Sequence, residues 1–279
     1  MIHPLPETIR EHFKSIWMQT PDGRLHDNSD FGHLTVDISN HSVFDVQYED
    51  NRFTLCPESS QITLQPAVPQ TLPDFYLYER IGYPFLRLLS GYVLLHCGAV
   101  SSSDGCVGLL AMPGVGKSTL TAALLAAATG LCLAADDVLP LFCDDHAVYA
   151  IPSASHLAMR HDLFNDAPFV ESIETLRLKK ALHVHPSRCL NHATPLKSLI
   201  LLHAAPESSA LRLVSNKASI MPDLLRQQMT ISHPPKAFAK AQFAAMMQII
   251  RQVPVMEADV CLRTPKDIEH TVAQFLQVM

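Results

Sequence analysis

The alternation of apolar and polar residues separates a β-rich beginning from a longer part in which apolar runs alternate with helical periods. In the first part, "SVFDVQY" and "RFTLC" alternate around the turn "EDN", and "QITLQP" follows. Such alternation predicts half-buried strands, and consecutive short strands predict a meander. Pro66, Pro69 and Pro73 form a predicted linker. We therefore predict a small β-rich module over residues 1–72 and a second domain over residues 73–279.

The second part begins with a predicted helix over 73–91, followed by the apolar runs "YVLLHCGAV" and "CVGLLAM", which the turn "SSSDG" joins. Further strands are predicted at "LCLAA", "AVYAI", "LKSLILLHA" and "ALRLV", and helices around residues 221–229 and 235–253. At the end, "VPVMEADVCL" predicts a strand and "TPKDIEHTVAQFLQVM" a helix. Thr264 is the predicted N-cap of that helix, Pro265 its first residue, and Asp267 the partner in a capping box.

Composition excludes several classes of protein. Hydrophobic residues make up 48% and charged residues 17%, with a formal charge of −6, which is typical of a globular protein and not of a nucleic-acid binder. The seven cysteines include no C-x-x-C pair, so neither a disulfide framework nor a structural zinc is expected. The apolar stretch 120–135 is short and interrupted, so no membrane span is expected, and the N-terminus lacks the apolar core of a signal peptide. We predict a cytoplasmic protein.

Residues 111–118 read "AMPGVGKS", which matches the phosphate-binding pattern G-x-x-x-x-G-K-[ST] except at its first glycine. In that pattern backbone amides and a helix N-terminus bind phosphate oxygens, the lysine reaches the β and γ phosphates, and the serine hydroxyl binds Mg²⁺. Alanine is acceptable at 111 if that residue is still in the strand. The predicted nucleotide-binding residues are Pro113, Gly114, Val115, Gly116, Lys117, Ser118 and Thr119.

A helix is predicted at "STLTAALLAAA" directly after the loop, and Asp136 and Asp137 follow the predicted strand "LCLAA" soon after that helix. If that strand runs parallel to the one before the loop, both strands end at the same edge of the sheet and the carboxylates lie beside the loop. One carboxylate then binds Mg²⁺ together with Ser118, and the other accepts the proton of an attacking hydroxyl. A solvated turn after a strand is the alternative interpretation.

The order of His96 in "LLHCGAV", the phosphate loop and "AADD" resembles the catalytic domain of HPr kinase/phosphorylase. More closely, the chain is similar to HPr-kinase-related proteins of peptide-modification gene clusters, which include kinases of lasso-peptide precursors. The resemblance covers roughly residues 75–279 and is specific over 96–137.

This resemblance implies an α/β P-loop kinase domain related to phosphoenolpyruvate carboxykinase, with ATP and Mg²⁺ as cofactors. It implies transfer of the γ-phosphoryl group to a serine hydroxyl on a small protein or precursor peptide. Lys117 would bind phosphate, Asp136 would act as base, and Asp137 would contact the metal, although the two aspartates can exchange roles. His96 would support the pair or the transferred phosphoryl group. The related kinases assemble into oligomers, so a homo-oligomer is possible.

Several weaker candidates and two rival functions stay open. Lys179, Lys180 and Arg177 are candidate contacts to the γ-phosphate or to an acidic peptide, and Arg160 and Arg251 are further candidate phosphate contacts. "HVHP" has the spacing of metal ligands on one strand face but no evident third ligand. "ETLRLKKALHVHP" lacks the glycines with which HPr kinases support phosphorolysis. The rivals are a small-molecule kinase, for instance of free serine, and a nucleotide-binding accessory protein with little catalysis.

Overall fold

The computed structural model describes residues 24–27, 34–37, 44–48, 51–56, 61–65, 92–144, 146–175, 179–207, 211–214, 219–229 and 236–279. The predicted linker, the predicted helix over 73–91 and Arg177 lie outside these residues. The chain divides into two compact units, residues 1–94 with 229–247 and residues 95–228 with 248–279. The predicted domain boundary between 72 and 73 stays a prediction.

The first unit contains a five-stranded antiparallel sheet in which each strand pairs with the next along the chain. Its strands are β1 (Arg24–Asp27), β2 (Leu34–Asp37), β3 (Phe44–Tyr48), β4 (Asn51–Cys56) and β5 (Gln61–Gln65). The last three strands are those that the alternation predicts. β1 and β2 lie in a stretch where the sequence analysis names no strand.

The second unit is built around a nine-stranded sheet with a mixture of parallel and antiparallel pairs. Its strands are β6 (Val93–Ser102), β7 (Gly105–Ala111), β8 (Cys132–Ala135), β9 (Val138–Cys143), β10 (Val148–Ala150), β14 (Thr194–Ala204), β15 (Arg212–Leu213), β16 (Gln228–Met229) and β17 (Val255–Val260). The main path is β10-β9-β6-β7-β14-β17-β15, and β8 and β16 both pair with β6. Because β10 also pairs with β14, part of this path closes on itself.

Three strands at the centre of this sheet run parallel, since β14 pairs in parallel with β7 on one side and with β17 on the other. β6 and β7 form an antiparallel hairpin whose turn ends at Gly105, with φ of 133°. The antiparallel hairpin and the three parallel strands together confirm a mixed α/β architecture with a central sheet.

A separate three-stranded sheet has the order β11-β13-β12 and is antiparallel throughout. It consists of β11 (His156–Met159), β12 (Val170–Thr175) and β13 (Lys180–Val184), and a short 3₁₀ helix, Pro186–Arg188, follows it. The hydrophobic pattern does not predict this sheet. The apolar runs in its three strands are short, and neither a helical nor a strand period continues through them for long enough to be recognised.

The described residues form four α-helices: α1 (Lys117–Ala127), α2 (Met221–Gln227), α3 (Lys236–Gln252) and α4 (Pro265–Leu276). All four helices lie where the sequence predicts them, although the predicted segment 221–229 ends in the short strand β16 and not in a helical turn. α4 has the predicted capping box, in which the Thr264 side chain accepts from the Asp267 N–H and the Asp267 side chain accepts from the Thr264 N–H. None of the described helices is long and apolar enough to cross a membrane.

The main core lies where α1, α4 and the small sheet contact one face of the central sheet. Leu120 and Leu124 of α1, Phe275 of α4 and Ile200 of β14 are almost completely buried in it. Burial of such side chains contributes roughly 1.5–3 kcal/mol each. This packing fixes the position of α1, and therefore of the loop before it, against the ends of the parallel strands.

The C-terminal end of α1 is held by Arg188 of the 3₁₀ helix. Its guanidinium donates to the carbonyl oxygens of Leu125 and Ala128, both at 2.8 Å, and to that of Leu131 at 2.9 Å. These carbonyls belong to the end of the helix and the turn after it, where helical partners are missing. A cation at this end also interacts favourably with the helix dipole.

Candidate functional site

The segment between β7 and α1 has the strand–loop–helix arrangement that the sequence predicts. Ala111 is the last residue of β7 and is fully buried, so the alanine at the first position of the pattern occupies an ordinary strand site. Gly114 and Gly116 have φ of 87° and 110°, a left-handed conformation that favours glycine. The Val115 N–H donates to the Met112 carbonyl at 3.3 Å and closes the turn.

The two loop glycines have different surroundings. A Cβ on Gly116 would lie 2.6 Å from Leu262 Cδ1, whereas a Cβ on Gly114 would meet nothing within 4 Å. Gly116 is therefore favoured by its backbone conformation, and a Cβ there would also displace the end of the Leu262 side chain, which lies just beyond β17. The space beside Gly114 is open and gives a ligand room to approach the backbone of the loop.

Among the residues that the structure describes, no side chain caps the N-terminus of α1. Gly116 is its N-cap and provides no side-chain hydrogen bond, and the first turn contains no acidic residue. The first N–H groups of a helix lack helical partners and carry the positive end of the helix dipole. The geometry fits an anionic group such as phosphate at this end.

Lys117 is buried at the start of α1, with 7% of the residue exposed. Its Nζ lies 3.3 Å from His96 Nε2 and donates to the Ala111 carbonyl at 3.2 Å. Burial lowers the pKa of Lys117, and the nearby charge of Lys179 lowers it further, while Cys97 and Asp136 oppose the change. An anion placed beside Lys117 would favour its charged form.

The paired aspartates lie at the same sheet edge as the loop. β7 and β8 both run antiparallel to β6, so they point in the same direction with β6 between them, as the sequence argument requires. The Asp137 carbonyl accepts from the Cys97 N–H at 3.0 Å, which ties the segment after β8 to the residue next to His96.

The two carboxylates differ in accessibility. Asp136 is buried, with 3% exposed, and its Oδ2 accepts from the Ala158 N–H at 2.7 Å. The Asp137 side chain is 22% exposed, and its Oδ1 lies 3.9 Å from His96 Nε2. The His96 ring therefore lies close to both Lys117 and Asp137. Of the two carboxylates, that of Asp137 is more accessible to a ligand.

The other predicted nucleotide-binding residues lie around this group. Pro113 and Gly114 are exposed in the loop, and Val115 is half-buried. Ser118 is half-buried in the first turn of α1, and the Thr119 hydroxyl lies 3.1 Å from His161 Nε2. The Ser118 hydroxyl and the Asp137 carboxylate are oxygen ligands of the kind that Mg²⁺ prefers. The chemical groups of these residues are therefore suitable for binding the phosphates of a nucleotide together with Mg²⁺.

The predicted cations of the small sheet have different environments. Lys180 pairs with Met159 in register and donates to Asp162 Oδ1 at 2.5 Å, which lowers the pKa of that carboxyl. Lys179 lies close enough to Lys117 to affect its pKa. Arg160 follows β11 and is exposed, so Lys179 and Arg160 lie at one end of this sheet.

The remaining candidates lie in ordinary surroundings. His183 Nε2 lies 3.4 Å from Glu174 Oε2, and the His185 ring interacts with Ser187. Arg251 is exposed in the last turn of α3. Across the described ranges, no group of three or more His, Cys, Asp and Glu side chains is arranged to hold a metal ion.

Sequence reasoning misses Gln227, the last residue of α2. It is buried, and with its amide oriented to donate, its nitrogen lies 3.2 Å from the Ala111 carbonyl and 3.2 Å from the His96 carbonyl. The side chain thus joins the end of β7 to β6 at the site. No local pattern identifies such a residue, because a polar position in a short helix ordinarily faces solvent.

Comparisons with known proteins give a weak structural likeness. No model of a known protein family matches the chain, and no curated protein matches it. Among solved structures, the chain is similar to the Hpr(Ser) kinase/phosphatase from Coxiella burnetii, with 14% identical residues and a TM-score of 0.36. That match covers 67% of this chain and 97% of the other.

Proposed function

We propose that this chain is an ATP- and Mg²⁺-dependent kinase that transfers the γ-phosphoryl group to a serine hydroxyl of a small protein or precursor peptide. One observation carries the proposal: beside the uncapped N-terminus of α1, the side chain of His96 lies between those of Lys117 and Asp137 and is close to both. The sequence resemblance of residues 96–137 to HPr-kinase-related proteins supports the choice of reaction.

In the proposed reaction, a P–O bond forms to the acceptor oxygen while the bond between the γ-phosphorus and the β–γ bridging oxygen breaks. Lys117 and the backbone amides at the start of α1 bind the phosphate oxygens and stabilise the charge that develops on them. Ser118 would hold Mg²⁺, which neutralises phosphate charge. Lys179 and Arg160 are proposed to contact the phosphates or an acidic acceptor.

The difference in burial supports moving the role of base, first predicted for Asp136, to Asp137. The base must reach the acceptor hydroxyl directly or through one water. Asp137 is accessible and lies beside His96, whereas Asp136 is enclosed and accepts from Ala158. We therefore assign the proton-accepting role to Asp137, with Asp136 as a positioning residue that holds the end of β8.

The test compares Asp137→Asn with Asp136→Asn in a phosphoryl-transfer assay with Mg-ATP and serine-containing acceptors. We expect Asp137→Asn to lower the transfer rate by about 10²–10⁴-fold with little change in ATP affinity. Asp136→Asn keeps an oxygen that can accept from Ala158, so we expect a loss of less than about tenfold. The opposite ranking would restore Asp136 as the base.

The acceptors in this assay also separate the proposal from its rivals. Peptides that contain serine, free serine and other small alcohols are supplied side by side. Transfer to free serine alone would identify a small-molecule kinase. Tight ATP binding without transfer to any acceptor would favour the accessory protein.

A further inference from the structure

His161, which lies outside the phosphate-loop motif, contacts the first turn of α1. Thr119, the third residue of α1, has its Oγ1 3.1 Å from His161 Nε2. His161 follows β11, which packs against α1, and its ring lies tilted against Phe164 with 6.3 Å between centroids. His161 is exposed, while Phe164 is 9% exposed. The imidazole is thus accessible and yet held against a buried side chain.

The direction of this hydrogen bond decides what Thr119 offers to a ligand. A hydroxyl has one hydrogen to donate, and a neutral imidazole nitrogen either donates or accepts. If His161 Nε2–H donates to Thr119 Oγ1, the hydroxyl hydrogen is free for a second acceptor. If Nε2 accepts instead, that hydrogen is used within the protein and Thr119 presents only lone pairs.

An anion bound at the N-terminus of α1 would favour one direction of the hydrogen bond between His161 and Thr119 over the other. Phosphate oxygens accept hydrogen bonds, and they are repelled by lone pairs. The arrangement in which His161 donates to Thr119 is therefore favoured when phosphate is bound, since the hydroxyl then donates to the ligand.

We propose that His161 is a positioning residue of the nucleotide site, which orients the Thr119 hydroxyl toward the phosphate chain. This inference rests on the proposed function, because it requires phosphate at the N-terminus of α1. It adds a residue that follows a strand of the small sheet to a site that is otherwise built from the central sheet and α1. The specificity it confers is for the phosphate part of the ligand and not for the base.

The test is a series of three substitutions at His161 with different hydrogen-bonding capacity. Gln can donate to Thr119, Ala cannot interact, and Glu can only accept. Isothermal titration with Mg-ATP and with Mg-ADP measures affinity. We expect His161→Gln to bind within about twofold of the wild type, His161→Ala to bind about tenfold more weakly, and His161→Glu to bind most weakly.

Two further measurements separate this role from a structural one. Inorganic tripolyphosphate, which has no base, should give the same ranking of variants. In a Thr119→Val background, His161→Ala should cause no further loss, because the hydroxyl that it orients is absent. Thermal unfolding of the three variants should agree with the wild type, since His161 is exposed.

The outcomes distinguish failure of this inference from failure of the proposed function. Wild-type protein that binds ATP, with His161→Glu binding as tightly as His161→Gln, overturns the role of His161 and leaves the kinase proposal standing. A loss for His161→Ala that persists in the Thr119→Val background also overturns it. Wild-type protein that binds neither ATP, ADP nor tripolyphosphate overturns both.

Discussion

Two strand–loop–helix segments flank β14 in parallel, and their helices begin in opposite ways. One is β7, the loop 112–116 and α1, and the other is β17, the loop 261–264 and α4. α4 begins with Thr264 and Asp267 in a capping box, which satisfies N–H groups with side chains of the same helix. α1 begins with Gly116 and no side-chain cap.

The difference separates a helix start that is capped by its own side chains from one that has no side-chain cap. Both helices pack into one core and contact each other, so packing does not separate them. At α4 the side-chain oxygens of Thr264 and Asp267 accept hydrogen bonds from N–H groups at the helix N-terminus. α1 begins with Lys117, and under the proposed function the amides at this end bind an external anion. The comparison can be tested one position at a time.

The largest effect is expected from Lys117→Ala, with Lys266→Ala as the matched variant at the start of α4. Removing Lys117 deletes the cation that would contact phosphate, and we expect ATP affinity to fall by about 100-fold. Lys266 is exposed, and its removal should leave affinity unchanged. Isothermal titration measures the ATP affinity of both variants. Equal losses of affinity would contradict the proposal that only the N-terminus of α1 binds the ligand.

Gly116→Ala is expected to destabilise the protein by about 1–2 kcal/mol, the cost of a left-handed conformation for alanine. Displacement of the flexible end of the Leu262 side chain adds a smaller cost. Gly114→Ala is the matched control, since its Cβ has open space and only the backbone cost applies. Chemical denaturation measures both variants. A larger loss at Gly114 would contradict the role of Leu262.

Thr264→Ala is expected to have a smaller and purely structural effect. Loss of an N-cap side chain costs about 1 kcal/mol. The free energy of unfolding should fall by that amount, while ATP affinity stays at the wild-type value. A change in affinity would show that the start of α4 also takes part in the ligand site.

The sequence is sufficient for features that depend on neighbours along the chain. The capping box of α4, the glycines of the loop and the strand before it are all set by residues within a few positions of one another. Ala111 is predicted to be tolerated in a strand, and it lies in one. The roles of Lys117, His96 and the two aspartates stay predictions.

Features that depend on tertiary contacts could not be predicted. Asp136 and Asp137 lie in a bend after β8, and the pair "DD" alone does not indicate which of the two carboxylates is buried. The answer depends on Ala158, which lies on a strand of another sheet. Gln227 and His161 likewise reach the site from distant parts of the chain, and no spacing rule connects them to the loop.

The three hydrogen bonds from Arg188 to the end of α1 have a consequence for binding thermodynamics. They fix the helix at the end opposite the loop, before any ligand is present. A ligand at the N-terminus then meets a helix already ordered, and its interaction free energy is not consumed in ordering the chain. Under the proposed function, Arg188 would therefore contribute to ATP affinity through preorganisation, from the far end of the helix and without touching the ligand.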